Sequence, residues 1–355
     1  MIKYLGSKRV LLPRILDAVR AAAPLGATVA DLFSGTARVG HALKAAGYRV
    51  VANDHNAYAH ALATCYVQAD AERLAEAARR VLDDLSRLPG RAGWFTETYC
   101  VRSRFFHPAN GERIEAMREA IAALSPEPEL EAVLLASLLE AADRVDSTAG
   151  LQMAYMKSWA ARALKPVALR LPALLPRPAA GACAALSGDA EAVAATLDCE
   201  VAYLDPPYNQ HSYLRNYHVW ETLVRWDRPE VYGVACKRAD CRTRVSAFNS
   251  RPGIGPALER TVAALRHCPT LVVSFNDEGY LGRAELERML GARAHLRVME
   301  IPHGRYVGAK IGIHNPRGER VGTVGHLTNV EHLFIASDRR LDLPAAAAAA
   351  PARAA

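Results

Sequence analysis

"ATVADLFSGTARVGHALKAAGYRVVAND", residues 27–54, decides the fold. Its opening, ATVADLF (27–33), is a short β-rich run that stops at the turn residues Ser34, Gly35 and Thr36. ARVGHALKAAG (37–47) has apolar residues at helical spacing and ends on Gly47, a favoured helix stop. YRVVAND (48–54) is strand-like again and closes on Asn53 and Asp54. Strand, helix and strand at this length form a βαβ unit, which implies a parallel sheet with a right-handed crossover.

Further strands follow in EVAYLDPPY (200–208), TLVVSFND (270–277) and HLRVMEIP (295–302), the last two flanking a helix RAELERMLG (283–291). NVEHLFIAS (329–337) reads as a final strand, antiparallel beside its neighbour. The middle differs. DAERLAEAARRVLDDLSRL (70–88), GERIEAMREAIAAL (111–124) and ELEAVLLASLLEAADRV (129–145) are amphipathic helices with no convincing strand between them. The expected architecture is α/β: a doubly wound, Rossmann-like domain carrying a mostly helical inserted module. Residues 1–64 and 181–340 form the discontinuous catalytic domain, 65–180 the insert, and 341–355 a low-complexity, disordered tail.

A chain of 355 residues with 51% hydrophobic and 23% charged content has the composition of a globular protein. Its net charge of +7 is a weak pointer to a polyanionic partner. The seven cysteines contain no Cys-x-x-Cys, and the one close pair, Cys236 and Cys241, is read as free thiols rather than a metal site. The start, MIKYLGSKRVLL, lacks a secretory apolar run, and no stretch has the length and purity of a membrane span, so a cytoplasmic location without membrane contact is expected.

Two constellations carry chemistry. In DLFSGTARVG (31–40), Gly35 lies between a strand and a helix and lets a ligand approach the backbone at the helix's positive end. Asp54, at the end of the next strand, stands where an acid reaches the ribose hydroxyls of a nucleoside. Phe33 and Ala37 occupy positions that the dinucleotide pattern would fill with glycine. A nucleoside without phosphates, such as S-adenosylmethionine, therefore fits better than a pyrophosphate. The second constellation is Asp205-Pro206-Pro207-Tyr208 after the strand VAYL. Ligands of open α/β sheets sit outside the carboxyl ends of the strands, so Asp205 would face the same crevice as Gly35 and Asp54. Asp205 and rigidly held backbone carbonyls would accept hydrogen bonds from an amino group, and Tyr208 offers a ring on which a base stacks for about 1–3 kcal/mol. A tight βα turn and a proline-rich turn with a surface tyrosine remain the bland alternatives.

With the N-terminal KYLGSKRVLLPRI, these motifs resemble the adenine-specific DNA methyltransferases of the DNA adenine methylase class. The order of cofactor loop, recognition insert and DPPY is that of the class, and the resemblance spans most of residues 1–337, including GWFTETYCVRSRFFHPANGERI and NYHVWETLVRWDRPEVYG. It implies S-adenosylmethionine as cofactor, with Tyr4, Gly6, Ser7 and Lys8 at its methionine end and Asp31, Phe33, Gly35 and Thr36 as its loop. Asp54 would hold the ribose and Asp189 would lie near the cofactor's adenine. Where the class commonly has a second glycine, this loop reads SGTARVG. The implied partner is double-stranded DNA, with room for a cognate restriction system. Arg102, Arg104 and Asn110 of the insert and Arg305 of the basic, Gly-rich stretch 303–320 are the expected DNA contacts.

The implied reaction is methylation of the 6-amino group of a flipped adenine at a specific DNA sequence. Amino methylation of cytosine in DNA or of a base in RNA stays open, as does a catalytically silent DNA-binding protein.

Overall fold

Alternation of small and branched apolar residues builds the central sheet. The structure, a computed structural model, describes residues 1–304 and 328–343. The strands are β1 (Thr28–Asp31), β2 (Arg49–Asn53), β3 (Ala184–Leu186), β4 (Val201–Leu204), β5 (Val231–Tyr232), β6 (Lys237–Arg238), β7 (Thr270–Asn276), β8 (His295–Gly304) and β9 (Thr328–Ser337). Seven of them form one sheet in the order β3-β2-β1-β4-β7-β9-β8, while β5 and β6 make a separate antiparallel hairpin. The pairs β1–β2, β1–β4, β2–β3 and β4–β7 are parallel; β9 runs antiparallel between β7 and β8. The sheet is the doubly wound one expected, with the antiparallel last strand inserted beside β7. Three strands carry too little sequence for a periodic signal, the three-residue edge strand β3 and the two-residue β5 and β6, and the structure adds helices at Leu12–Ala22 and Arg251–Ala264.

Period-two alternation sends Val29, Val201, Tyr203 and Val272 into one core and Ala30, Ala202, Leu204 and Val273 into the other, on the opposite face. All seven residues of β7 are buried, as a central strand covered on both faces requires.

Helices dominate the middle of the chain at Ala71–Ser86, Pro108–Leu124 and Pro128–Arg144. Their apolar faces (Leu74, Ile114, Leu134) share one core with Tyr58, Tyr217 and Trp220. The helical pattern stops after residue 144, and up to residue 183 the chain is mostly irregular, with one short turn of helix at Ala161–Leu164. Pro166, Pro172, Pro176 and Pro178 explain this for residues 165–178, since each lacks an N–H and disfavours a helical residue before it. Leu343 is buried, so the packed chain runs past the expected start of the tail at 341. Residues 344–355 of that tail, and Arg305 with most of the basic stretch 303–320, lie outside the described residues.

Candidate active site

The carboxyl ends of β1, β2 and β4 converge on one cleft. It is lined by Asp31, Phe33, Gly35 and Thr36 from the loop after β1, by Asn53 and Asp54 from β2, and by Asp205 and Pro207 after β4. Tyr4, Gly6, Ser7 and Lys8 line it from the N-terminal segment, and Asp189 from the loop after β3. Pro206 is buried beneath it and Tyr208 is half-buried beside it.

The loop after β1 is held open by backbone geometry. Gly35 has φ +52°, and a Cβ there would lie 3.2 Å from the Tyr4 ring. Ala37, in the SGTARVG loop that lacks a second glycine, also adopts the left-handed conformation, with φ 59° and ψ 20°. The turn therefore forms as tightly as a glycine would make it, with strain on a buried alanine. Asp54 fastens the loop: its Oδ2 accepts from Gly35 N at 3.0 Å and its Oδ1 from Asn56 N at 2.9 Å. Asp31 accepts from Gly40 N at 3.0 Å through Oδ2, while its buried Oδ1 has no partner among the described residues. Burial pushes the Asp31 carboxyl up to about 7, against the lowering pull of that backbone N–H. Ser34 Oγ, Asn53 Oδ1 and Asn56 Oδ1 are likewise buried and unpartnered around the same cleft. Leaving such groups unsatisfied is costly, so a cleft lined with free acceptors is built for a ligand with donors.

The N-terminal segment is threaded through aromatic rings. Tyr4 packs against both Tyr213, at 5.0 Å between centroids, and Tyr217, at 4.7 Å, and these two rings lie 6.4 Å from each other. Leu5 N donates to Tyr217 Oη at 2.6 Å. Lys8, which is buried, follows on this segment beside Asp205. Lys8 Nζ lies 3.0 Å from Asp205 Oδ1 and 2.6 Å from Glu331 Oε1. Burial pulls the Lys8 ammonium down, but the two carboxylates outweigh it and hold it well above its ordinary value. Burial raises Asp205 to about 6, with Lys8 opposing and Glu331 adding to the rise. Tyr208 packs its ring against Phe275 at 5.6 Å, and Lys8 Nζ sits 5.9 Å from its centroid.

The expected DNA contacts separate. Arg102 is exposed at the end of the turn Glu97–Arg102. Arg104 donates to Lys157 O at 2.6 Å and lies 4.4 Å over the Trp159 ring. Asn110 does not face outward. It is buried, its Nδ2 donates to Ala163 O and Lys165 O, and its Oδ1 accepts from Val167 N at 2.8 Å. The adjoining Phe105 and Phe106 are core residues too. The segment around 163–167 has no strand partner, so a side-chain amide satisfies its backbone instead.

Residues 4–253 match the profile of the D12 class N6 adenine-specific DNA methyltransferases. The chain belongs to this family. Type II methyltransferase M.NlaIII of Neisseria lactamica is 28% identical to the methyltransferase over 290 residues, 79% of this chain and 84% of the relative. Type II methyltransferase M.FokI of Planomicrobium okeanokoites is 28% identical over 328 residues, 86% of this chain but only 50% of its own length. Type II methyltransferase M.CviAII of Paramecium bursaria Chlorella virus 1 is 26% identical over 324 residues, 86% of this chain and 92% of the relative. No helix among the described residues is long and apolar enough to cross a membrane, and no cluster of metal-ligating side chains occurs among them.

Sequence reasoning missed Glu331, Tyr213 and Tyr217 as members of the methyltransferase's site. Tyr213 and Tyr217 lie in the aromatic-rich stretch YLRNYHVWETLVRW (213–226), where Tyr213 lines the cleft and Tyr217 is buried. Nothing local in NVEHLFIAS singles out Glu331. Its one signal is that it is the only acid in the strand Thr328–Ser337.

Proposed function

We propose that the protein transfers the methyl group of S-adenosylmethionine to the 6-amino group of an adenine flipped out of a specific site in double-stranded DNA. The observation that carries the reading is Asp205, fixed by Lys8 through Oδ1, on the same cleft as the unpartnered acceptors of the loop after β1.

The cofactor's chemistry matches the cleft. Asp31 Oδ1 suits an ammonium, and Asp54, with three of roughly four acceptor sites used, keeps one for a ribose hydroxyl. Exposed Asp189 caps the helix Ala190–Ala194 by accepting from Glu191 N and Ala192 N, which places it at the rim. When bound, S-adenosylmethionine supplies an electrophilic methyl group on a sulfonium. An adenine amino nitrogen is a poor nucleophile because its lone pair is delocalised into the ring. Asp205 and the Pro206 carbonyl, accepting its two hydrogens, localise that lone pair for in-line attack. As the nitrogen took up the methyl group, the sulfonium would keep the electrons of the broken C–S bond, and one amino proton would pass to Asp205 Oδ2. Tyr208 stacks on the flipped base, whose extrusion costs a few kcal/mol. A DNA substrate places the protein in the cytoplasm, and the type II names of its relatives make a cognate restriction enzyme a natural companion.

The test is methyl transfer from labelled cofactor to duplex DNA, with nucleoside analysis of the product and single-turnover rates. Asp205→Asn, whose NH2 opposes the target amino group, lowers the rate at least about a hundredfold. Tyr208→Ala slows it and Tyr208→Phe retains most of it. Near-normal transfer by Asp205→Asn, or label on cytosine alone, overturns the reading.

A further inference from the structure

Resting on that proposed function, a residue far from the motifs enters the chemistry. Glu331 is on β9, the strand that runs antiparallel to β7, so its beginning lies at the sheet edge where β4 ends. Register pairs Glu331 with Asn276, the last residue of β7. The carboxylate is 3% exposed. Oε1 accepts from Lys8 Nζ and from Ser274 Oγ, each at 2.6 Å, and Oε2 accepts from Asn276 Nδ2 at 3.1 Å. Burial would raise its pKa, but Lys8 and these hydrogen bonds hold it below the ordinary carboxylate range. A fully buried carboxylate with three donors is an expensive way to hold a strand, since an apolar pair would serve as well or better.

We propose that Glu331 is a positioning residue for methyl transfer: it anchors Lys8 so that Asp205 presents Oδ2 to the target amino group, and its charge leaves the site one negative charge in excess. Lys8 sits between two carboxylates, so one ammonium balances only one of them. With Lys8 pinned to Glu331, its Nζ meets Asp205 at Oδ1 and leaves Oδ2 to the target. Oδ2 has no hydrogen-bond partner among the described residues. The excess negative charge faces the amino nitrogen as it gains a methyl group and becomes cationic, where preorganised charge acts with most effect.

The groups around Asp205 set the direction of each substitution. Lys8 reaches it from the N-terminal segment, Glu331 from β9, Asp31 from β1 and Tyr203 from β4, with Tyr208 and Tyr213 beyond. In the wild type, methylation falls as pH drops through Asp205's pKa, because the protonated acid no longer accepts both ways. Glu331→Gln removes a negative neighbour and leaves Lys8 to Asp205 alone, so the acid limb moves to lower pH. Lys8→Met removes the cation and leaves burial and Glu331 to dominate, so the limb moves to higher pH.

The experiment is the pH profile of single-turnover methylation by the full chain at saturating cofactor, with cofactor affinity by calorimetry as the check on folding. The expected result is a limb about half a unit to one unit lower in Glu331→Gln and higher in Lys8→Met. The plateau of Glu331→Gln falls at least about tenfold, with cofactor affinity held. Glu331→Asp keeps the buried charge, is the variant used should the glutamine one not fold, and retains the wild-type limb. Limbs unmoved in both Glu331→Gln and Lys8→Met overturn the positioning role and leave a structural ion pair, as does a Glu331→Asp limb displaced downward. A wild type that methylates no DNA at any pH overturns the proposed function itself, and this inference with it.

Discussion

Ala37 shows what a single residue can absorb. Its left-handed backbone costs about 1–2 kcal/mol for a residue with a Cβ, yet the buried methyl returns part of that at about 0.8 kcal/mol. Ala37→Gly relieves the strain but loses the methyl and frees the unfolded chain by about 0.4–1 kcal/mol. Stability in a urea titration therefore changes by less than about 1 kcal/mol, whereas β-branched Ala37→Val, disallowed in that region, loses at least about 2 kcal/mol. The neighbouring Asp31 makes a pH prediction. Its folded pKa, about 7, exceeds the unfolded value of 3.8 because burial disfavours the anion. A ligand ammonium reverses that preference, so cofactor binding at pH 6 releases close to one proton and tightens as pH rises through 7. Calorimetry in buffers of different ionisation enthalpy reads the released proton, and Asp31→Asn abolishes it. The residues of this loop were legible in the sequence because each acts within a few positions of its own strand end. The left-handed Ala37 was not, since alanine carries no signal for that conformation.

At the scale of elements, the long helices follow from their apolar spacing, but what they hold is not written in it. The helix Pro108–Leu124 presents Asn110 in its first turn to three backbone groups of the irregular segment at 163–167. Asn110→Ala strands those groups in the interior and destabilises the protein by about 1–3 kcal/mol. Denaturant unfolding measures the loss, while the recognised DNA sequence, read on the product, stays the same. A Pro-Ala-Asn run at a helix start fits a DNA contact and a buried amide equally well. Only the packing of a later segment against it separates the two.

For the whole molecule, the relevant quantity is the field it presents to DNA. Arg102 is exposed and Arg104 is spent on Lys157 O and Trp159, so their substitutions differ in kind. Arg102→Ala lowers the slope of log affinity against log salt by about one and leaves cofactor affinity unchanged. Arg104→Ala also lowers the unfolding midpoint, because it releases the chain around Trp159. Binding titrations at several salt concentrations, paired with melting curves, distinguish them. An unchanged slope in Arg102→Ala removes that side chain from the phosphate contacts.

By itself the sequence determined the parallel βαβ core, the antiparallel last strand, the tight loop after β1 and the DPPY turn after β4. Each depends on hydrophobic period or on turn chemistry within about ten residues, and such short-range preferences survive in any context that lets the strand form. Tertiary structure alone decided that β9 lies beside β7, and with it that Glu331 meets Lys8 and Asp205. It also decided that Tyr4 packs against Tyr213 and Tyr217 and that Asn110 faces inward. These pairings join parts of the chain far apart in sequence, and strand order and register, which no local pattern encodes, bring them together.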